Sequence, residues 1–90
     1  MSPEETGSQE SRVRAVVEVV ARALTDHPDH VRVTESAHKG GALIELFVAP
    51  GELGRVIGRQ GRTAAAVRTL AATAGEQEGK VVTLEFRDSR

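Results

Sequence analysis

An α+β fold with the order helix, strand, strand, helix, helix, strand is predicted from three features of this 90-residue chain. Apolar residues recur at helical spacing near the N-terminus, and three later runs have the character of strands. A glycine pair, Gly58 and Gly61, parts two helical segments between the second and third of those runs.

The first helix is read from Val13, Val16, Val17, Val20, Ala21 and Leu24, the i, i+3, i+4, i+7 series of an amphipathic helix. Ser11 or Ser8 can cap its start, and Asp26-His27-Pro28 ends it because proline disfavours helix in the residue before it. Valine is a mediocre helix former, so this helix depends on packing its stripe against the body. Val31-Arg32-Val33-Thr34-Glu35 alternates with period two and reads as a strand. A turn at His38-Lys39-Gly40-Gly41 leads into a more apolar and more central strand, Leu43 to Val48. The two form an antiparallel hairpin, with Gly40-Gly41 supplying positive φ.

Pro50-Gly51 ends the hairpin, and Glu52 to Ile57 gives a short helix. After Gly61 the alanine-rich run from Arg62 to Ala74 forms the third helix, with Val67, Leu70 and Ala71 on one face and a stop at Gly75. An acidic link to Gly79 precedes the last strand, Val81 to Phe86, in which Val82, Leu84 and Phe86 share the buried face. Residues 1–9 have no apolar periodicity and read as a disordered leader, which leaves residues 10–90 as one small domain.

Hydrophobic residues make up 39% of the chain, enough for a folded core. With no cysteine, disulfide scaffolds and thiolate metal sites are excluded and a reducing cytoplasm is permitted. The N-terminus is polar and acidic, and no apolar run reaches the length of a signal sequence or membrane span. The expectation is a soluble, cytoplasmic protein without membrane attachment.

A bare Gly-x-x-Gly pair carries little information, since composition alone supplies about one in a chain of this kind. There are two here, and Gly51-Glu52-Leu53-Gly54 reads as the turn between a strand and a helix. The pair at Gly58 and Gly61 differs in its surroundings: apolar Val56-Ile57 before it, a helix after it, and Arg59, Gln60 and Arg62 in and beside it. Net charge is only −1, yet residues 51–70 are three units positive and the remainder four units negative. A local basic patch on an acidic body favours a defined site over general adhesion to polyanions.

Glycines admit a close backbone approach and guanidinium groups suit phosphate, so the expected partner is a nucleic-acid strand. In that reading Gly58 and Gly61 clear the path of the sugar-phosphate chain, and the amides opening the helix at Arg62 and Thr63 point donors at it. Val56, Ile57, Ala64 and Val67 are candidates for an apolar floor under the bases. Arg55 and Arg68 can either touch the strand or simply face water. With no Trp or Tyr and two Phe, stacking on aromatic platforms is not expected.

Other chemistries fit worse. The phosphate loop of nucleotide hydrolases needs a glycine at Val56 and a lysine at Arg62. His27 and His30, with Asp26 and Asp29, straddle Pro28 in a surface turn and lack a third cluster for a metal. No nucleophile and base share a framework, so neither catalysis nor a cofactor is expected.

The element order and the stretch Gly54-Arg55-Val56-Ile57-Gly58-Arg59-Gln60-Gly61-Arg62-Thr63-Ala64, continuing through Ala66-Val67-Arg68-Thr69-Leu70, resemble the prokaryotic (type II) KH domain. The chain is most similar to the small single-domain bacterial KH proteins of the KhpA (YlqC-like) family, over about residues 10–88. The resemblance implies a three-stranded sheet with three helices on one face. It also implies single-stranded RNA held over about four nucleotides beside the loop. The position three after Gly61, often isoleucine in KH domains at large, is Ala64, which makes the groove shallower or differently shaped. Similar proteins are linked to RNA-chaperone activity and to control of cell length and wall synthesis. They form homodimers or pair with a larger KH protein of the KhpB (Jag) type. The alternative is a protein-interaction or dimerisation module with weak RNA contact of its own.

Overall fold

Helix α1 (Arg12–Leu24) starts where the Ser11 hydroxyl accepts the backbone N–H of Arg14 at 3.0 Å, a cap worth about 1 kcal/mol. The computed structural model describes residues 11–89; the expected leader, residues 1–9, and the alternative cap Ser8 lie outside them. Val13, Val17 and Ala21 are buried, flanked by Val16, Val20 and Leu24 at the edge of the core. A single 3-10 turn, Pro28–His30, follows and was not legible in the sequence. Proline suits its first position, where no N–H is needed.

Strands β1 (Arg32–His38) and β2 (Gly41–Val48) pair antiparallel through a two-residue connection, Lys39-Gly40. Lys39 (φ 50°) and Gly40 (φ 80°) carry the positive φ, as in a type I′ turn, which moves the turn one residue earlier than Gly40-Gly41. Gly41 is instead a paired strand residue opposite His38, and a Cβ there would collide with the carbonyl oxygen of Val81. That carbonyl accepts the Ala42 N–H at 2.9 Å, where β3 (Val82–Asp88) begins its pairing with β2.

The β2–β3 pairing is parallel, running from Ala42 opposite Val82 to Val48 opposite Asp88, so the sheet order is β1-β2-β3. A parallel neighbour requires a crossover. It is supplied by α2 (Leu53–Ile57) and α3 (Arg62–Gln77), which lie with α1 over one face of the sheet. Central β2 alternates accordingly. Ala42, Ile44, Leu46 and Val48 are buried beneath the helices, while Leu43, Glu45 and Phe47 lie on the uncovered face. Val31, Val33, Val56, Val67, Ala71, Ala74 and Leu84 complete the core, with Val82 and Phe86 half-buried on either side of Leu84, whereas Leu70, expected on the same face as Val67 and Ala71, is turned outward and 47% exposed.

Helix α3 passes through Gly75, where the sequence predicted its stop. Gly75 is buried, and a Cβ on it would strike the Val82 side chain, so this glycine serves helix-on-strand packing. The stop is at Gly79 (φ 70°): Lys80 N–H donates to the Gly75 carbonyl at 2.9 Å and Gly79 N–H to that of Glu76 at 3.1 Å, a Schellman motif. Lys80 Nζ lies 2.7 Å from Glu35 Oε2 and 3.3 Å from Glu78 Oε1, and Glu78 also accepts the Arg12 N–H at 2.9 Å. These contacts tie the start of α1 to the end of α3, the end of the molecule away from the Gly58–Gly61 loop. Among the described residues no helix is long and apolar enough to cross a membrane.

Candidate nucleic-acid interface

The chain enters α2 through Ala49-Pro50-Gly51-Glu52, closed by Glu52 N–H to the Ala49 carbonyl at 3.0 Å, with φ 87° at Gly51. Proline at the second and glycine at the third position suit a type II turn, so the first Gly-x-x-Gly pair is a turn, as expected. Glu52 is only 7% exposed and anchors this entry. Its carboxylate accepts the Asp26 N–H at 2.8 Å and lies 3.5 Å from His27 Nδ1. Arg55 reaches Asp26 Oδ2 at 2.8 Å and Glu52 Oε2 at 3.8 Å. Its guanidinium is thus engaged with the connection after α1. His27 and His30 meet edge to face at 5.8 Å, and among the described residues no group of three or more His, Cys, Asp or Glu side chains could hold a metal.

Burial pushes the Glu52 carboxyl up, but the Asp26 amide and the His27 side chain and amide outweigh it, leaving the group below its ordinary value of 4.5. A carboxylate held low in the folded state contributes stability above its unfolded value and loses it as the pH falls through the folded one. The melting temperature is therefore expected to drop as the pH falls below about 4.5. Glu52→Gln should melt lower at neutral pH and show a shallower acid decline in pH-dependent thermal scans. Glu35 and Glu78 are also held low, so the decline is reduced without vanishing. An unchanged acid profile in the variant would remove Glu52 from this role.

Helix α2 ends as Gly58 donates its N–H to the Gly54 carbonyl at 2.8 Å. Gly58 adopts φ 76° and ψ 173°, a region essentially reserved for glycine, and a Cβ on it would run into the Thr63 side chain. Arg59–Gly61 make one 3-10 turn in which Gln60 (φ 58°, ψ 23°) and Gly61 (φ 72°, ψ 13°) are left-handed. Around Gly61 nothing lies within 4 Å of an added Cβ. The two glycines therefore have different reasons. Gly58 makes room for Thr63 inside the protein, and only Gly61 leaves open space at the surface, where both were expected to clear a path.

Gly61 also begins α3 without a side-chain cap, but the Arg62 N–H is donated to the Arg59 carbonyl, so that amide is not the free donor expected at the start of the helix. Arg59, Gln60 and Arg62 are exposed, and their side chains make no hydrogen bond or ion pair with any described residue. With Arg55 paired to acids, the uncommitted positive charge of the basic segment is concentrated at Arg59 and Arg62.

Beside the loop lies a groove of about 370 Å³ lined by Ile57, Gly61, Ala64, Arg68, Glu85 and Phe86. Ile57 and Ala64 stand where the sequence placed them. Val56 (0% exposed) and Val67 (4%) instead point into the core and do not line the groove. Arg68 is neither simply solvated nor uncommitted: its Nε donates to the Leu84 carbonyl at 3.3 Å and its guanidinium carbon sits 4.9 Å from the centre of the Phe86 ring. Glu85 and Phe86 were missed because no local spacing ties β3 to the loop. The signal lies in topology, since a parallel β3 at the sheet edge must lie under the crossover helices.

A family model described as KhpA/KhpB, KH domain, matches residues 14–86. The RNA-binding protein KhpA of Aquifex aeolicus is 48% identical over 76 residues, covering 84% of this chain and 96% of that protein. That of Clostridium acetobutylicum is 41% identical over 74 residues, covering 82% of this chain and 99% of its own length. Among solved structures, Era of Aquifex aeolicus bound to GDP.AlF4- superposes with a TM-score of 0.64 at 23% identity, over 86% of this chain and 30% of Era. Era in complex with MgGDPNP and nucleotides 1506-1542 of 16S ribosomal RNA gives 0.60 at 22% identity, over 84% of this chain and 29% of that one. The chain thus spans under a third of Era, and that likeness is one of fold.

Proposed function

The chain belongs to the KhpA/KhpB KH-domain family, and from that premise we propose that it is a non-catalytic single-stranded RNA-binding module acting in the cytoplasm. The backbone clamp is Gly58, Arg59, Gln60, Gly61, Arg62 and Thr63, gripping about four nucleotides. One observation carries the reading. Two arginines with no partner among the described residues flank an open glycine at the start of a helix without a side-chain cap, directly beside a groove. The helix dipole favours phosphate, and Arg59 and Arg62 add charge-assisted side-chain donors. Ile57 and Ala64 form the floor under the bases, while Val56 and Val67 support it from the core. Arg55 acts indirectly, holding α2 against the connection that follows α1. The finer role follows the family resemblance: an RNA chaperone in control of cell length and wall synthesis.

With about two phosphates neutralised on a single strand, log affinity should fall against log salt with a shallow slope of about −1.4. Titrations of a mixed cellular RNA pool at several salt concentrations measure it. Salt-independent binding, or none, would defeat the reading. Crosslinking in the cell followed by sequencing of the bound RNA would name the targets.

A second reading, interaction with protein, is favoured by the sheet face on which Leu43 and Phe47 lie with no helix over them among the described residues. A homodimer, or a heterodimer with a larger KhpB (Jag) type protein, would use such a surface. Light scattering across a concentration series decides whether this chain pairs with itself.

A further inference from the structure

We infer that Arg68, backed by Phe86, is the stacking platform that holds a nucleobase in the groove, an assignment that rests on the RNA-binding reading above and extends it from backbone grip to base contact. No other residue lining the groove has a π face: Ile57, Gly61, Ala64 and Glu85 are aliphatic, bare or acidic. The chain has no Trp or Tyr, and its other phenylalanine, Phe47, lies on the opposite side of the sheet. A guanidinium plane can take the place of an aromatic ring beneath a base, and it is less strongly hydrated than an ammonium.

Arg68 is held in place for that task. In the parallel ladder, Val81 and Ser89 direct their backbone groups to β2, so the alternate residue Leu84 turns its carbonyl to the outer edge of β3. The Arg68 side chain spans from α3 to that edge, bonded through Nε to the carbonyl and seated over the Phe86 ring. The side chain is exposed yet doubly restrained, so much of the rotamer entropy lost on stacking a base is already spent in the unbound protein.

Its position along the helix suits a strand leaving the loop. Gly61, Ala64 and Arg68 follow one another at i, i+3 and i+7 along one face of α3, and Arg68 stands roughly 10 Å beyond Gly61 at ~1.5 Å per residue. A strand clamped at Gly61 passes over two positions with little or no side chain before it meets the guanidinium. Beyond Arg68 a second recess of about 380 Å³, lined by Arg68, Val82, Thr83, Leu84 and Glu85, leaves room for the strand to continue.

The test uses short single-stranded RNAs carrying 2-aminopurine at successive positions, whose fluorescence is quenched on stacking. Wild type should quench the probe at one register. Arg68→Lys keeps the charge and loses the plane; it should abolish that quenching and weaken binding about five- to tenfold, the lower part of a one-base stacking contribution, with an unchanged salt slope. Phe86→Leu keeps apolar bulk and should lose the quenching too, with thermal melts confirming that both variants fold. If Arg68→Lys quenches and binds like wild type while Arg68→Ala flattens the salt slope by about 0.7, Arg68 contacts phosphate and the inference fails alone. If wild type binds no RNA, the function reading fails with it.

Discussion

Replacing Arg59 and Gln60 together with aspartate is expected to weaken RNA binding by about a hundredfold while leaving the melting temperature within a degree or two of wild type. Hydrogen bonds to charged groups contribute about 1.5–3 kcal/mol each, and each tenfold change in affinity is about 1.4 kcal/mol, so losing two such donors already reaches that figure. Two new carboxylates add repulsion at the place a phosphate must occupy. The fold should not suffer, because both side chains are exposed and have no partner among the described residues. Aspartate also tolerates the left-handed conformation held at Gln60, φ 58°. Filter or polarisation binding to a mixed RNA pool, beside a thermal melt, gives both readings. A folded double variant with undiminished affinity would dismiss this loop as the binding site.

Alanine at the two loop glycines should separate folding from binding. Gly58→Ala faces a glycine-only backbone region, costing about 1–3 kcal/mol, and adds a Cβ that meets Thr63. A total loss of about 3 kcal/mol or more is expected, a large fraction of the stability of so small a domain. Gly61→Ala meets no atom within 4 Å and pays only the left-handed conformation, about 1–2 kcal/mol. Its methyl group enters the groove mouth, so its main effect should be on RNA affinity. Denaturant midpoints and binding curves for the two variants should rank them in opposite orders. Equal loss of stability in both would contradict the division of roles drawn from their surroundings.

Most of the loop was legible because its markers are local. Two glycines, three polar or basic residues between and beside them, and apolar runs on either side are visible without any knowledge of what folds against what. The same local view misjudged Gly40-Gly41 and Gly75 for a shared reason. A glycine that provides positive φ and one that admits a neighbouring backbone or side chain look identical in sequence. Gly41 and Gly75 are glycines because of Val81 and Val82, residues brought to them only by the parallel pairing of β3. Val56 and Val67 show the converse error, apolar residues near the loop that the helix rotation turns into the core.

Side-chain commitments were equally invisible. Arg55, Arg59, Arg62 and Arg68 are alike as letters, yet Asp26 and Glu52 engage the first, and Leu84 and Phe86 hold the last. Asp26, Leu84 and Phe86 are 29, 16 and 18 residues from the arginines they meet, beyond any periodicity argument.

By itself, then, the sequence determined the main helices and strands, their order, the buried faces of α1 and β3 and the location of the loop, since spacings of 2 and 3.6 residues and turn chemistry act over a few neighbouring positions. Tertiary structure alone decided which arginines remain uncommitted, which glycine is open to a ligand, and that Phe86 backs Arg68 at the groove. Those outcomes follow from the crossover that lays β3 parallel to β2 beneath α2 and α3, a long-range pairing stabilised by burial of Ile44, Leu46 and Leu84 rather than by any local preference.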